Sequence, residues 1–117
     1  MNAVTVLEPG SLALPGSRTE RFEGEAHGLG LSYFLVRTPH GKGAALHRHP
    51  YTEMWLVLEG EATFRFDDGE RAMELGSTVI VQAGTWHGFI NHGQEPLVMA
   101  CLHDSPRIIQ EFRDETA

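Results

Sequence analysis

The sequence predicts an all-β domain, an antiparallel sandwich or barrel, and three observations carry that prediction. Short apolar or alternating runs recur at 31–38, 51–58, 62–66, 78–82, 86–90 and 97–103. Each run is bounded by Gly, Pro or Asp, in a chain with thirteen glycines. No helical spacing of apolar residues lies between the runs. Strands of this length at this spacing, joined by turn residues, can bury their apolar faces only by stacking two sheets or closing one.

In chain order, residues 1–17 contain Pro9, Gly10, Pro15 and Gly16, which interrupt regular structure and predict an arm or an edge strand. Residues 18–105 form the barrel. Glu59-Gly60 and Asp68-Gly69 read as hairpin-type turns, and Pro39-His40-Gly41 and Asn91-His92-Gly93 as loops between runs. The run Met54-Trp55-Leu56-Val57-Leu58 is apolar on both faces. One face should line the interior and the other should pack on a second sheet or a partner chain, so a homodimer is expected. The tail, 106–117, reads as helical over 106–113. Pro106 would occupy the first turn after Ser105 as N-cap, with Ile108, Ile109 and Phe112 on one side.

A chain of 117 residues has room for one domain with a real core. Nine basic and sixteen acidic residues give a net charge of −7. That balance argues against binding nucleic acid or an acidic membrane through overall charge. The single cysteine, Cys101, cannot form an internal disulfide, and no leader-like or membrane-spanning apolar stretch is present. A cytoplasmic protein acting on a small molecule, with no nucleic-acid or membrane partner, is the expectation.

The segment from Gly41 to Gly60 holds the chemistry. His47, His49 and Glu53 have the same parity, so in an extended chain they project to one side together with Trp55 and Val57. Two imidazoles and a carboxylate are costly to bury among core residues unless something binds them. A metal ion answers that cost. A further ligand should come from another strand, and His87, after a Gly-containing turn and on the same side as Phe89, is the candidate.

These two segments resemble the paired motifs of the cupin superfamily, the small jelly-roll barrels. The first family pattern, G-x(5)-H-x-H-x(3,4)-E-x(6)-G, is met by Gly41, His47, His49, Glu53 and Gly60. The second, G-x(5)-P-x-G-x(2)-H-x(3)-N, is met by Gly76, Gly84, His87 and Asn91, with Gln82 in place of the proline. The resemblance implies an antiparallel jelly-roll, or double-stranded β-helix, with one divalent transition metal (Fe, Mn, Ni, Cu or Zn) on His47, His49, Glu53 and His87. It leaves the reaction open, because similar proteins include dioxygenases, isomerases, decarboxylases, lyases and non-enzymatic ligand sensors.

Three neutral imidazoles and one carboxylate around a divalent ion leave a local charge of about +1, which suits an anionic or chelating substrate. Four ligands saturate tetrahedral zinc, whereas a six-coordinate ion keeps open positions, and the geometry favours the second case. The leading expectation is oxygenase-type oxidation of a small chelating substrate. A metal-dependent isomerase or lyase of sugars or oxyacids, and a binding or sensing module, are the rival readings.

The other residues are assigned more modestly. His103 and Tyr33 lie in strand runs and could face the cavity. Tyr51, Trp55, Phe64, Phe66, Trp86 and Phe89 are either core or pocket wall. His27, His40 and His92 sit beside Gly or Pro in loops, Arg48 should point away from the metal into a salt bridge, and Cys101 reads as a small buried side chain.

Overall fold

The computed structural model describes residues 3–113. Among the described residues ten strands form two sheets of five, packed face to face. One sheet comprises β1 (Glu20–Glu23), β2 (Ser32–Thr38), β4 (Glu53–Glu59), β7 (Thr78–Val81) and β9 (Leu97–His103), in the order β1-β2-β9-β4-β7. The other comprises β3 (Gly43–Arg48), β5 (Ala62–Phe66), β6 (Gly69–Met73), β8 (His87–Ile90) and β10 (Glu111–Phe112), in the order β10-β3-β8-β5-β6. All pairings are antiparallel, and the chain passes repeatedly from one sheet to the other, the jelly-roll arrangement.

The core follows from the two-residue period of the strands. In β9 the inward residues Leu97, Met99, Cys101 and His103 alternate with the half-buried Val98, Ala100 and Leu102. In β4 the inward set is Glu53, Trp55 and Val57. Phe64 and Phe89 from the opposite sheet pack against Trp55, at ring separations of 4.2 and 5.6 Å. Burying each of these large apolar side chains contributes about 2–3 kcal/mol, which lets the interior carry several polar groups.

Two sequence expectations change here. Glu59-Gly60 is not a hairpin, because β4 and β5 belong to different sheets and the turn carries the chain across the barrel; Asp68-Gly69 does close the β5–β6 hairpin. The C-terminal helix is absent. Residues 106–110 carry no regular structure and Glu111–Phe112 form β10, paired with Arg48 and His47. The reason lies in the tail's hydrogen bonds, which go outward to the barrel. The Ile108 N–H donates to Glu23 Oε2 at 2.9 Å, the Ile109 N–H to the Tyr51 hydroxyl at 3.1 Å and the Arg113 N–H to the Leu46 carbonyl at 3.0 Å. Ser105 takes the Arg107 N–H at 3.2 Å, two residues on, which turns the chain without starting a helix. The rest of the predicted tail, 114–117, lies outside the described residues.

Strands β3 and β8 approach so closely that a side chain on Gly43 has no room. A Cβ there would meet the Phe89 carbonyl oxygen at 1.9 Å and the Ile90 Cα at 2.7 Å. Gly43→Ala should therefore lower stability by about 1–3 kcal/mol, read as a lower urea midpoint. Gly30→Ala, where an added Cβ meets nothing within 4 Å, should stay within about 0.5 kcal/mol of the parent. Equal midpoints for the two variants would contradict this account.

Candidate metal centre

His47 lies near the end of β3, His49 just past it, Glu53 opens β4 and His87 opens β8. The same-side reading holds for His47 and His49. Glu53 meets them differently, because the chain bends through Pro50, Tyr51 and Thr52 and enters the other sheet, so the carboxylate faces the imidazoles across the barrel. His47 and His87 are cross-strand partners in the β3–β8 pair. One ligand atom from each of His47, His49, Glu53 and His87 lies within 4.8 Å of all the others, and all four residues are buried.

The turn before His87 depends on Gly84, whose φ of 80° suits a residue without a side chain. Its N–H donates to the His49 carbonyl at 2.8 Å, tying the two histidine segments together. Gln82, standing where the family pattern has proline, accepts from the Thr52 hydroxyl at 3.3 Å and so links this turn to the loop before Glu53. Asn91 is fully buried and donates to the carbonyls of Thr38 and Glu95 at 2.9 and 3.0 Å, holding two loops at the far end of the barrel.

The hydrogen bonds of the imidazoles define their chemistry. Nδ1 of His47 donates to the Ala45 carbonyl (2.8 Å), Nδ1 of His49 to the Ile109 carbonyl (2.9 Å) and Nδ1 of His87 to the Thr85 carbonyl (2.7 Å). A carbonyl can only accept, so the proton of each neutral ring sits on Nδ1 and Nε2 keeps its lone pair. Nε2 of His49 and Nε2 of His87 each lie 2.9 Å from the same carboxylate oxygen, Glu53 Oε1. Lone pairs converging on an anion repel unless positive charge enters between them. Extra protons or a cation would supply it, and the donor set of nitrogens and one carboxylate oxygen is one that transition ions take.

Electrostatics separates the ligands from their surroundings. Burial, partly offset by the bond to Ala45, lowers the His47 pKa to about 4. Burial alone would raise the Glu53 pKa, but protons shared with the imidazoles of His103, His49 and His87 prevail and hold the carboxyl well below the usual range. Burial raises the Cys101 thiol well above its ordinary value, which leaves it inert.

His103, read from the sequence as a strand residue able to face the cavity, does face the interior and is fully buried beside the centre. It is the direct cross-strand partner of Glu53, and its Nε2 lies 3.0 Å from Glu53 Oε2. Its parity with Leu97, Met99 and Cys101 was the signal available in the sequence. Tyr33 does not face the cavity; it stacks on Phe22 at 5.2 Å on the other side of its sheet. Trp86 lies outside the cavity under Arg48, whose guanidinium is 4.4 Å from its ring and also pairs with Glu111 at 2.9 Å. His92 is exposed, His40 bonds the Gly93 carbonyl at 2.7 Å, and His27 closes a short 3₁₀ turn against Phe22.

Beside the four residues lies a cavity of about 230 Å³, walled by Phe34, Val36, Trp55, Phe89 and Phe112, with His47 and Glu53 among its polar groups. A family model described as Cupin domain matches residues 34–103, which contain all four residues. The chain belongs to the cupin family. A gentisate 1,2-dioxygenase from Ralstonia sp is 31% identical over 99 residues, 83% of this cupin chain and 27% of that protein. The chain thus spans about a quarter of the length of that curated relative. Among solved structures, a Klebsiella pneumoniae protein with a double-stranded β-helix domain superposes with a TM-score of 0.74 at 20% identity, covering 88% of this chain and 90% of its own. The Bacillus subtilis oxalate decarboxylase, a protein with Mn(II) centres, superposes with a TM-score of 0.72 at 20% identity, covering 86% of this chain and 29% of that one. At such identity the two structures share the fold with this cupin.

The His47 shift sets a pH dependence. The unfolded chain protonates this ring near 6.5 and the folded one near 4, so between those values the unfolded state holds more protons and stability rises with pH. Acidifying the metal-free protein across that window should lower its urea midpoint. His47→Gln should flatten the part of the slope that this ring supplies, and an identical slope in the variant would contradict the assignment.

Proposed function

We propose that this domain holds one divalent transition ion on His47, His49, Glu53 and His87 and uses it to oxidise a small chelating substrate with dioxygen. Bound there, a redox-active ion such as Fe or Mn would supply open coordination positions and electron transfer. The chain's own residues supply the rest. Three backbone carbonyls fix the histidine tautomers, and Glu53 brings the negative charge that draws a cation into the barrel.

The observation that carries the reading is the character of the adjoining cavity. Its walls are mostly apolar and aromatic, with Thr19, Thr38 and Gln110 as the polar exceptions away from His47 and Glu53, and among the described residues no Lys or Arg lines it. A substrate anion would therefore find its positive partner at the ion, while the body of the molecule meets Phe34, Val36, Trp55 and Phe89. A ring carrying adjacent oxygen donors suits such walls better than a small dianion polar at every atom. Similarity to a protein named for gentisate dioxygenation supports the same direction.

The experiment is elemental analysis of untagged protein, then oxygen-uptake assays with hydroxybenzoates, catechols, diketones and thiols. Near-stoichiometric metal and substrate-dependent oxygen uptake are expected, with His87→Ala lowering the metal content and narrowing the melting difference between holo- and apoprotein. Turnover undiminished under strict anaerobiosis would overturn the oxygenase reading.

We infer also that the chain pairs with a second copy through the outer face of the β4-containing sheet. Met54, Ile80 and Leu102 are register neighbours there, and Ile80 is 62% exposed. Light scattering should give a dimer mass that Ile80→Glu halves; a monomeric parent at tens of micromolar would refute the pairing.

A further inference from the structure

The barrel carries a fourth inward histidine at the same end as the other three, and its hydrogen bonding is of the opposite kind. Nδ1 of His103 faces the Tyr51 hydroxyl at 2.6 Å, where each of the other three rings faces a carbonyl. The Tyr51 oxygen already accepts the Ile109 N–H at 3.1 Å, and its own proton has two acceptors in reach, His103 Nδ1 at 2.6 Å and the Ile109 carbonyl at 3.4 Å. The nearer acceptor takes the proton. His103 Nδ1 then carries a lone pair, and the proton of the neutral ring sits on Nε2.

The far side of the ring favours the same tautomer. Nε2 of His103 lies 3.0 Å from Glu53 Oε2 but off the hydrogen-bonding angle, so among the described residues it is a buried ring nitrogen with no hydrogen-bond partner. A lone pair there would be repelled by the carboxylate oxygen 3.0 Å away in a dry interior, whereas an N–H is attracted to it even off the bonding angle. His103 also stands apart from the four side chains whose ligand atoms converge within 4.8 Å. The two oxygens of Glu53 are thus divided. Oε1 faces His49 and His87, and Oε2 faces His103.

We propose that Tyr51 and His103 form a positioning pair: the tyrosine hydroxyl fixes the proton on His103 Nε2, and that unpartnered N–H, 3.0 Å from Glu53 Oε2, turns onto it when the carboxylate binds an ion, so that only Oε1 is offered to the metal. The pair rests on the metal reading above. It makes His103 an outer partner of the ligand carboxylate and excludes it as a fifth ligand, since its Nε2 has no free lone pair. Tyr51 is half-buried and its ring stacks on His49 at 5.0 Å, so it braces one ligand while setting the orientation of another.

The test uses Mn(II) affinity, measured by competition with a chromophoric chelator, in the full chain and in Tyr51→Phe, His103→Leu and His103→Gln. Tyr51→Phe and His103→Leu should each weaken binding by about tenfold or more, the usual cost of losing an outer-shell partner. His103→Gln, which keeps an amide N–H near the Nε2 position, should retain most of the affinity. Adding Tyr51→Phe to His103→Gln should then cost little, because a glutamine has no tautomer to set. Pulsed EPR of the Cu(II) form should count the same number of coordinated imidazoles in the parent and in His103→Gln.

Loss of one coordinated imidazole in His103→Gln would make His103 a ligand and overturn the proposal. So would unchanged affinity in Tyr51→Phe, or a full Tyr51→Phe penalty persisting in the glutamine background, which would trace the effect to Ile109. Should His103→Leu fail to fold, as circular dichroism of the apoprotein would reveal, Tyr51→Phe and the glutamine pair still decide the matter. A parent that binds no Mn(II), Fe(II), Co(II) or Cu(II) would instead defeat the metal reading itself, an outcome distinct from those of the variants.

Discussion

A single carboxylate, Glu53, sits 2% exposed inside the barrel with imidazole nitrogens at 2.9–3.0 Å on both of its oxygens. Removing a charged group from water costs several kcal/mol, more than burial of any one core side chain returns. The arrangement is tolerable only when positive charge shares the space. The surroundings fit that condition, from the carbonyls that orient the rings to an adjoining cavity that, among the described residues, no Lys or Arg lines.

The jelly roll is well suited to making such a place. Because the chain alternates between sheets, residues only a few positions apart, such as His49 and Glu53, come from opposite walls and meet across the interior. Cross-strand register then brings in the distant partners, His87 opposite His47 and His103 opposite Glu53. The C-terminal segment completes the enclosure. Extended rather than helical, it lends the Ile109 carbonyl to His49 and the Ile109 N–H to Tyr51, so the tail takes part in the centre's hydrogen bonding.

Overall charge and local charge point in different directions. The chain is acidic, with a net charge of −7, yet an ion on three neutral imidazoles and one carboxylate would leave the centre about one unit positive. The mostly apolar cavity would sharpen that contrast, because a low-dielectric wall strengthens the attraction between a bound ion and an oxygen anion. Selection among substrates would then rest on the shape and apolar character of the wall.

Much was legible in the residues themselves. Alternation gave the inward face of β4, turn residues gave most strand limits, and the spacing of His47, His49, Glu53 and His87 marked the residues that the structure brings together. These are local properties, governed by a two-residue period and by the conformations that Gly and Pro allow. The crossing at Gly60, the strand at Glu111–Phe112 and the place of His103 beside Glu53 were decided elsewhere. Each depends on which distant backbone supplies a hydrogen-bond partner. A tail with helical spacing becomes a strand once Leu46, Tyr51 and Glu23 take its N–H groups, and the tautomer of each buried histidine follows from whether a hydroxyl or a carbonyl meets its Nδ1.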